Sequence, residues 1–420
     1  MRAQPGFSRA PPREGARHFP TGPAFSTALD IEEIHAMTES DYSTRSTVFT
    51  ARIARALVFV VALLLTSIAP SLAQAPTPFS GGGKAGQEDP YASYTYTSAP
   101  AYAVYNNTLY LYGTAEDGKG YYTTYDGTSW SAYTGWQDQP TNYKWDPVSV
   151  EYAGTQYVYY TGEDNRYYQQ SYDGQAWSGW NDTSGQYTFQ QAPYANVHNN
   201  TLYLYGVATD GNVYGKSFDG TTWTEWAPVN DTYAAGAYQP YAVSWNNYEN
   251  VFWVGQDGKA YWNRYDGTSW TGAKELTGDD TYAATPYATG YDGKLYAYAT
   301  TADGAPYYNT FTEGQGWSGW TAYAAAPPAK VAYQPSTYVY NEKQHTVYTA
   351  EDGHAYYTSY DGTSWSEWTD LGPNYTYKPV QYEYGTAYYL AYTGQDGAIY
   401  YKTYSGDQAG GQQPTPTPGY

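Results

Sequence analysis

Residues 240–272 read PYAVSWNNYENVFWVGQDGKAYWNRYDGTSWTG. A proline, an aromatic five residues on, an Asp-Gly pair, a Tyr, then a second Asp-Gly and a Trp form one unit. The unit recurs along the chain. Its prolines are Pro100, Pro147, Pro193, Pro240, Pro286, Pro335 and Pro379, spaced 44 to 49 residues apart. Seventeen residues after each comes Asp117, Asp164, Asp210, Asp257, Asp303, Asp352 or Asp396, and four further on a Tyr. The first copy shows how a unit folds. Thr108–Gly113 alternates Leu109 and Leu111 with Tyr110 and Tyr112, the period of a β-strand. Asp117-Gly118 and Asp126-Gly127 supply tight turns. The prolines fit strand entry, where no ladder donor is lost.

Four short strands per unit, seven units long, predict an all-β, seven-bladed β-propeller of four-stranded antiparallel blades. The seventh copy stops after its third strand and lacks the Trp of the others. Ala92–Pro100 (ASYTYTSAP) resembles the repeat end Asn374–Pro379. The expectation is therefore that an N-terminal strand from 92–100 completes the last blade and leaves no open sheet edge. The propeller is expected over 90–405. Residues 76–89 read as a flexible linker and 406–420 as a disordered Pro/Gly-rich tail.

Upstream, Ala56–Ala69 (ALVFVVALLLTSIA) follows Arg52 and Arg55 and precedes Ala73-Gln74-Ala75. This predicts a secretory signal peptide cleaved after Ala75, since the run is short for a membrane span. Residues 1–75 are then an upstream extension plus signal. Met37 offers a start with a more ordinary signal, so residues 1–36 are read as a mis-assigned gene start. The expected location is secreted, extracellular or at the cell surface, with no membrane insertion after cleavage.

Composition narrows the chemistry. The 420 residues include 57 Tyr, 15 Trp, no Cys, and 20 Lys+Arg against 40 Asp+Glu. Without Cys there is no disulfide, thiolate metal site or Cys nucleophile. The acidic balance argues against nucleic acid as partner.

The joint pattern Pro-x₄-aromatic, Asp-Gly, Tyr, aromatic-Asp-Gly-x-x-Trp-Ser-x-Trp resembles the PLL-like seven-bladed propeller lectins of bacteria. Repeat four carries it, and Trp365-Ser366-Glu367-Trp368 with Leu371-Gly372 carries it in repeat six. The resemblance covers all seven copies. It implies a secreted propeller with sugar sites between blades, in a family that binds fucose or related, often methylated, glycans. Most of that family's Leu-Gly-Gly segments are replaced here, and Tyr is far commoner.

Enzyme readings fare less well. A sialidase needs an Arg cluster to grip its substrate's carboxylate, and only Arg166 and Arg264 remain after residue 75. A paired-carboxylate glycosidase needs two acids at a suitable separation, but about half of the acids belong to Asp-Gly turns, where turn formation accounts for them. Glu116-Asp117, Glu163-Asp164 and Glu351-Asp352 are read as solvated turns rather than Ca²⁺ ligands. His198 and His345 replace repeat aromatics and are read as packing. No cofactor or metal is expected.

A sugar needs aromatic faces for its C–H side and polar groups for its hydroxyls. The position after each repeat Tyr varies: Tyr122, Gln169, Gly215, Trp262, Tyr308, Tyr357, Tyr401. The ligand candidates are therefore Trp262, Arg264, Tyr308, Tyr357, Tyr122 and Tyr401. The expected function is non-catalytic binding of glycans or cell-surface polysaccharide at several weak sites between blades. The alternatives are a structural or adhesion module of the cell envelope that binds protein or polymer, and a polysaccharide-acting glycoside hydrolase.

Overall fold

A computed structural model describes residues 79–85, 94–229, 236–276, 278 and 280–404. The expected signal peptide, the upstream extension and the tail lie outside the described residues. Seven antiparallel sheets follow in chain order, and each begins after one of the repeat prolines. Their first strands are Ala101–Tyr105, Val148–Tyr152, Tyr194–His198, Tyr241–Trp245, Tyr287–Tyr291, Ser336–Tyr340 and Val380–Tyr384. Each of these neighbours the first strands of the blades before and after it, and the seventh neighbours the first. The ring is the expected seven-bladed propeller. Blades are numbered here in that order, and the first strands line its axis.

Local chemistry explains the repeat. In blades 1 to 6 the hairpin between first and second strands uses two positive-φ residues, such as Asn106 (φ 47°) and Asn107 (φ 58°), or Asn199 (φ 45°) and Asn200 (φ 57°). That is the mirror-image turn whose twist matches antiparallel strands. At the next turn, the Asp of Asp-Gly-x-x-Tyr bonds in two directions. Asp117 accepts Lys119 N through Oδ1 at 2.9 Å and Tyr121 OH through Oδ2 at 2.7 Å. Asp164, Asp210, Asp257, Asp352 and Asp396 repeat both bonds. The fixed spacing of Asp and Tyr is thus a hydrogen-bonded clamp in six blades, with both carboxylate oxygens engaged; in blade 5 Asp303 accepts from Thr301 Oγ1 instead.

The aromatic five residues after each proline joins neighbouring blades. Tyr105 OH donates to Gly154 O (2.7 Å), Tyr152 OH to Asn200 O (2.9 Å), Tyr291 OH to Glu342 O (2.6 Å), and Tyr384 OH to Asn107 O (2.9 Å). The last of these seals blade 7 to blade 1. Tyr384→Phe is expected to cost roughly 1 kcal/mol, the net value of one such bond. A fall in the urea midpoint checks it, and an unchanged midpoint would remove this seal from the account.

The ring closes differently from the sequence expectation. An N-terminal strand does complete blade 7, but it is Phe79–Lys84, paired antiparallel to Ile399–Tyr404. It lies within 76–89, the segment read as a flexible linker. The segment 94–100 is instead the lead-in to blade 1. Tyr96 bridges Ala115 just as Tyr143 bridges Gly162 and Tyr282 bridges Thr301. The similarity of ASYTYTSAP to repeat ends reflected this lead-in role. Phe79 also supplies the Trp missing from the seventh copy. It pairs with Tyr404 as Trp130 pairs with Tyr125 and Trp365 with Tyr360.

Tyrosine fills the space between blades. Tyr112, Tyr159, Tyr160, Tyr167, Tyr205, Tyr298, Tyr348, Tyr382 and Tyr388 are all fully buried. A large ring with one polar tip suits a sheet buried on both faces.

Candidate functional site

The third strand of each blade presents the variable position toward the next blade. In five of the seven interfaces a ring occupies it. Tyr122 packs on Trp177 (5.8 Å between ring centres), Tyr308 on Trp365 (5.6 Å) and Tyr401 on Trp130 (5.5 Å). Trp262 packs on Trp317 (5.4 Å), and Tyr357 on Phe79 (5.8 Å). Trp262 is 3% exposed and donates Nε1–H to Asn250 Oδ1 at 3.2 Å. Tyr357 is 5% exposed, with its hydroxyl 2.8 Å from His345 Nδ1. Arg264, buried at 6%, grips Glu313 of the next blade (Nη2–Oε2 3.0 Å) and lies 3.7 Å over the Tyr248 ring. Asn246 Nδ2 also donates to Glu313 at 3.1 Å, and these bonds hold the Glu313 carboxyl below its usual range. The six candidates thus lie in five different interfaces around the ring, with Trp262 and Arg264 sharing the one between blades 4 and 5. Trp262, Arg264 and Tyr357 are buried in packing. Tyr122, Tyr308 and Tyr401 are half-buried with a Trp across each interface.

The two remaining interfaces lack the ring. Between blades 2 and 3 the position is Gln169, and Lys216 fills the gap from the other side. Its Nζ lies 4.3 Å from the Trp223 ring centre and donates to Thr183 O at 2.7 Å. Burial lowers its ammonium to about 8. Between blades 3 and 4 the position is Gly215, and a cleft of about 240 Å³ opens there. Trp270, Tyr265 and Tyr203 wall it, with Trp270 and Tyr265 5.1 Å apart in the same Trp–aromatic pairing that Trp130 and Tyr125 form in blade 1. Tyr205 leans beneath it, since a Cβ on Gly215 would stand 2.8 Å from the Tyr205 ring. Ser217, Thr224 and Glu225 bring hydroxyls and a carboxylate to its rim.

Beneath this cleft the repeat symmetry breaks again. Nine residues after each proline stand Leu109, Gln156, Leu202, Glu249, Leu295, Gln344 and Tyr388. Gln156 Nε2 bonds Tyr112 OH of the preceding blade, and Gln344 Oε1 accepts from Tyr298 OH. Glu249 occupies the same place opposite Tyr205 and is fully buried. Its Oε2 accepts Asn196 Nδ2 at 2.7 Å and lies 3.3 Å from Ser244 Oγ. Ser244 Oγ is also 3.2 Å from His198 Nδ1 and donates to Val197 O at 2.9 Å. Burial pushes the Glu249 carboxyl up to about 8, while these bonds pull it down. Ser, His and Glu are close here, but the His ring nitrogens face Ser244 and Asn199, not the carboxylate. That arrangement cannot orient an imidazole for nucleophile activation.

The sequence signal for this interface was available. Gly215, His198 and Glu249 each depart from the repeat at a different offset, and all three converge where blades 3 and 4 meet.

No protein-family model matches the chain, and no curated protein matches it. Among solved structures it is similar to BBS1N, solved in complex with ARL6DN, at 13% identity and a TM-score of 0.52, over 77% of this chain and 97% of that one. It is also similar to a mutant Aleuria aurantia lectin in complex with alpha-methyl-L-fucoside, at 16% identity and a TM-score of 0.46, over 67% of this chain and 97% of that one. A mutant of AofleA from Arthrobotrys oligospora matches at 12% identity and a TM-score of 0.46, over 66% and 87%. At these identities the likeness is one of fold.

Proposed function

We propose that the protein is an exported, non-catalytic carbohydrate-binding propeller whose principal site is the cleft between blades 3 and 4. The observation that carries this is the missing ring at Gly215. Five equivalent clefts are closed by an aromatic side chain, whereas this one keeps its Trp270 wall and is left open. An apolar ring face beside a few convergent hydroxyls and a carboxylate suits a pyranose, which offers one C–H face and several hydroxyls. The reading concentrates on one cleft the binding that repeat symmetry alone would spread over several. Export rests on the apolar run before Ala75, and Phe79 is the fourth residue of the mature chain expected from that cleavage.

A glycan array followed by calorimetry tests the proposal. Gly215→Tyr places a ring at the position that Tyr122 and Tyr308 hold in blades 1 and 5, and its Cβ also displaces the Tyr205 ring that stands 2.8 Å away. Trp270→Ala removes the wall. Each is expected to weaken binding of the retained glycan at least tenfold, or about 1.4 kcal/mol. An array with no retained glycan at millimolar strength, or equal binding by both variants, would favour an adhesion module that binds protein. Polysaccharide turnover that disappears on changing one acid would favour a hydrolase.

A further inference from the structure

The ring axis holds a second cavity, of about 360 Å³, distinct from the interblade cleft. It is off-centre. On one side the first strands of blades 3, 4 and 5 fill the axis with tilted ring pairs, Tyr194 with Tyr241 (4.7 Å) and Tyr241 with Tyr287 (4.2 Å). On the other side blades 7, 1 and 2 carry Ala101, Ala103 and Ser149 beside Tyr102, which stacks on Tyr382 at 4.8 Å. Most of the lining comes from those three blades, and Tyr194, Gln239, Tyr287 and Ser336 join it from the other blades.

Its mouth is charged on both flanks. The residues just before the repeat prolines form a ring: Ala99, Asp146, Ala192, Gln239, Thr285, Gln334 and Lys378. Asp146 of blade 2 and Lys378 of blade 7 stand on either side of blade 1, whose own residue is the small Ala99. Asp146 spends Oδ1 on Ala99 N at 2.8 Å. Lys378 Nζ reaches Gln334 Oε1 at 3.5 Å. Among the described residues neither forms an ion pair. The two charges nonetheless interact: burial raises the Asp146 carboxyl and lowers the Lys378 ammonium, and each group partly offsets the other's shift. Gln239 is tied to Pro193 O at 2.6 Å, and Gln381 to Ser336 O at 2.6 Å, so the surrounding polar side chains are held in place. Glu151 belongs to the same lining, further along the blade 2 strand.

Two opposite charges that form no ion pair and are partly withdrawn from water recover only part of their lost hydration from one another. A ligand with both signs at its ends completes both. We propose that the axial cavity binds a small zwitterion of the free α-amino-acid type, with its carboxylate on Lys378 Nζ and its ammonium on Asp146. The volume falls in the range of small-molecule sites, and the tyrosine side gives a side chain an apolar surface to meet.

Calorimetry with glycine, L-alanine, L-glutamine and L-phenylalanine, each also as its N-acetyl and its amide form, tests this on the full mature chain. At least one free amino acid is expected to bind at millimolar strength or better. Both blocked forms should bind at least tenfold more weakly, because each lacks one charge. Asp146→Asn and Lys378→Gln should each lose at least tenfold, with unchanged near-ultraviolet circular dichroism. Heat from none of the free amino acids, equal binding by blocked forms, or full binding in both variants would overturn the proposal. Equal binding of glycerol or L-fucose to this cavity would do the same, marking a general polar channel. If either variant fails to fold, the free and blocked forms on the wild-type chain decide alone.

Discussion

Phe79→Ala is expected to lower the stability of the ring by about 3–5 kcal/mol, the cost of truncating a buried Phe. Phe79 is 2% exposed and touches three rings, Tyr357 at 5.8 Å, Tyr388 at 5.3 Å and Tyr404 at 5.3 Å. Two of these belong to blade 7 and one to blade 6. The residue therefore does in the last interface what a Trp does in the other blades, while its strand covers the edge of Ile399–Tyr404. Removal of residues 1–78 should leave the urea midpoint unchanged. Removal of residues 1–85 should lower it and produce concentration-dependent association, because the exposed edge presents unpaired backbone groups to other chains. Aromatic fluorescence on urea unfolding and size-exclusion chromatography read both effects. A Phe79→Ala loss below about 1 kcal/mol, short of the buried-Phe range, would show that the ring is closed by other contacts, such as Tyr384 to Asn107 and Thr393 Oγ1 to Ser98 O.

The repeat was legible because its chemistry is local. Asp117 and Tyr121 bond each other four residues apart, and the Asn and Gly turns join adjacent strands. Such features leave fixed offsets in the chain. The closing strand FSGGGK left none, since its partner lies more than 300 residues away and its only side-chain signature is one Phe in place of a Trp. The same distinction governs the site. Scanning the variable position for rings selects Tyr122, Trp262, Tyr308, Tyr357 and Tyr401, and rings at that position pack across the interface. An open cleft is marked by the missing ring, so Gly215 carries the information. The Tyr205–Glu249 pairing becomes visible only when one copy is compared with the next, as Tyr112 with Gln156 and Tyr298 with Gln344.

Glu249→Gln is expected to stabilise the protein increasingly as pH rises, from little difference near pH 4 to a few kcal/mol near pH 8. The folded carboxyl titrates at about 8, whereas an unfolded Glu ionises near about 4.3. Between those values the folded chain keeps a proton that the unfolded chain releases, so wild-type stability falls as pH rises and levels off above about 8. Each pKa unit corresponds to about 1.4 kcal/mol. Gln is the residue at this place in blades 2 and 6, so the substitution keeps a packing the fold already uses. The surrounding titratable groups do not mimic the effect. Tyr194, Tyr203 and Tyr205 are raised by burial and stay neutral through this range. His198 is lowered by burial, so its contribution has the opposite sign and is lost as pH falls. The turn aspartates also act oppositely: Asp126 and Asp219 are lowered to about 2 by their turn bonds, and their stabilisation is lost in acid. Wild type should therefore be most stable around pH 4–5, where the aspartates are ionised and Glu249 is neutral in both states. The variant should lose the Glu249 part of this decline and stay above the wild type up to pH 8. Melting temperatures of both proteins from pH 4 to 9 decide the matter. Parallel curves would mean that Glu249 is already ionised in the fold and that water reaches the floor of the blade 3–4 cleft.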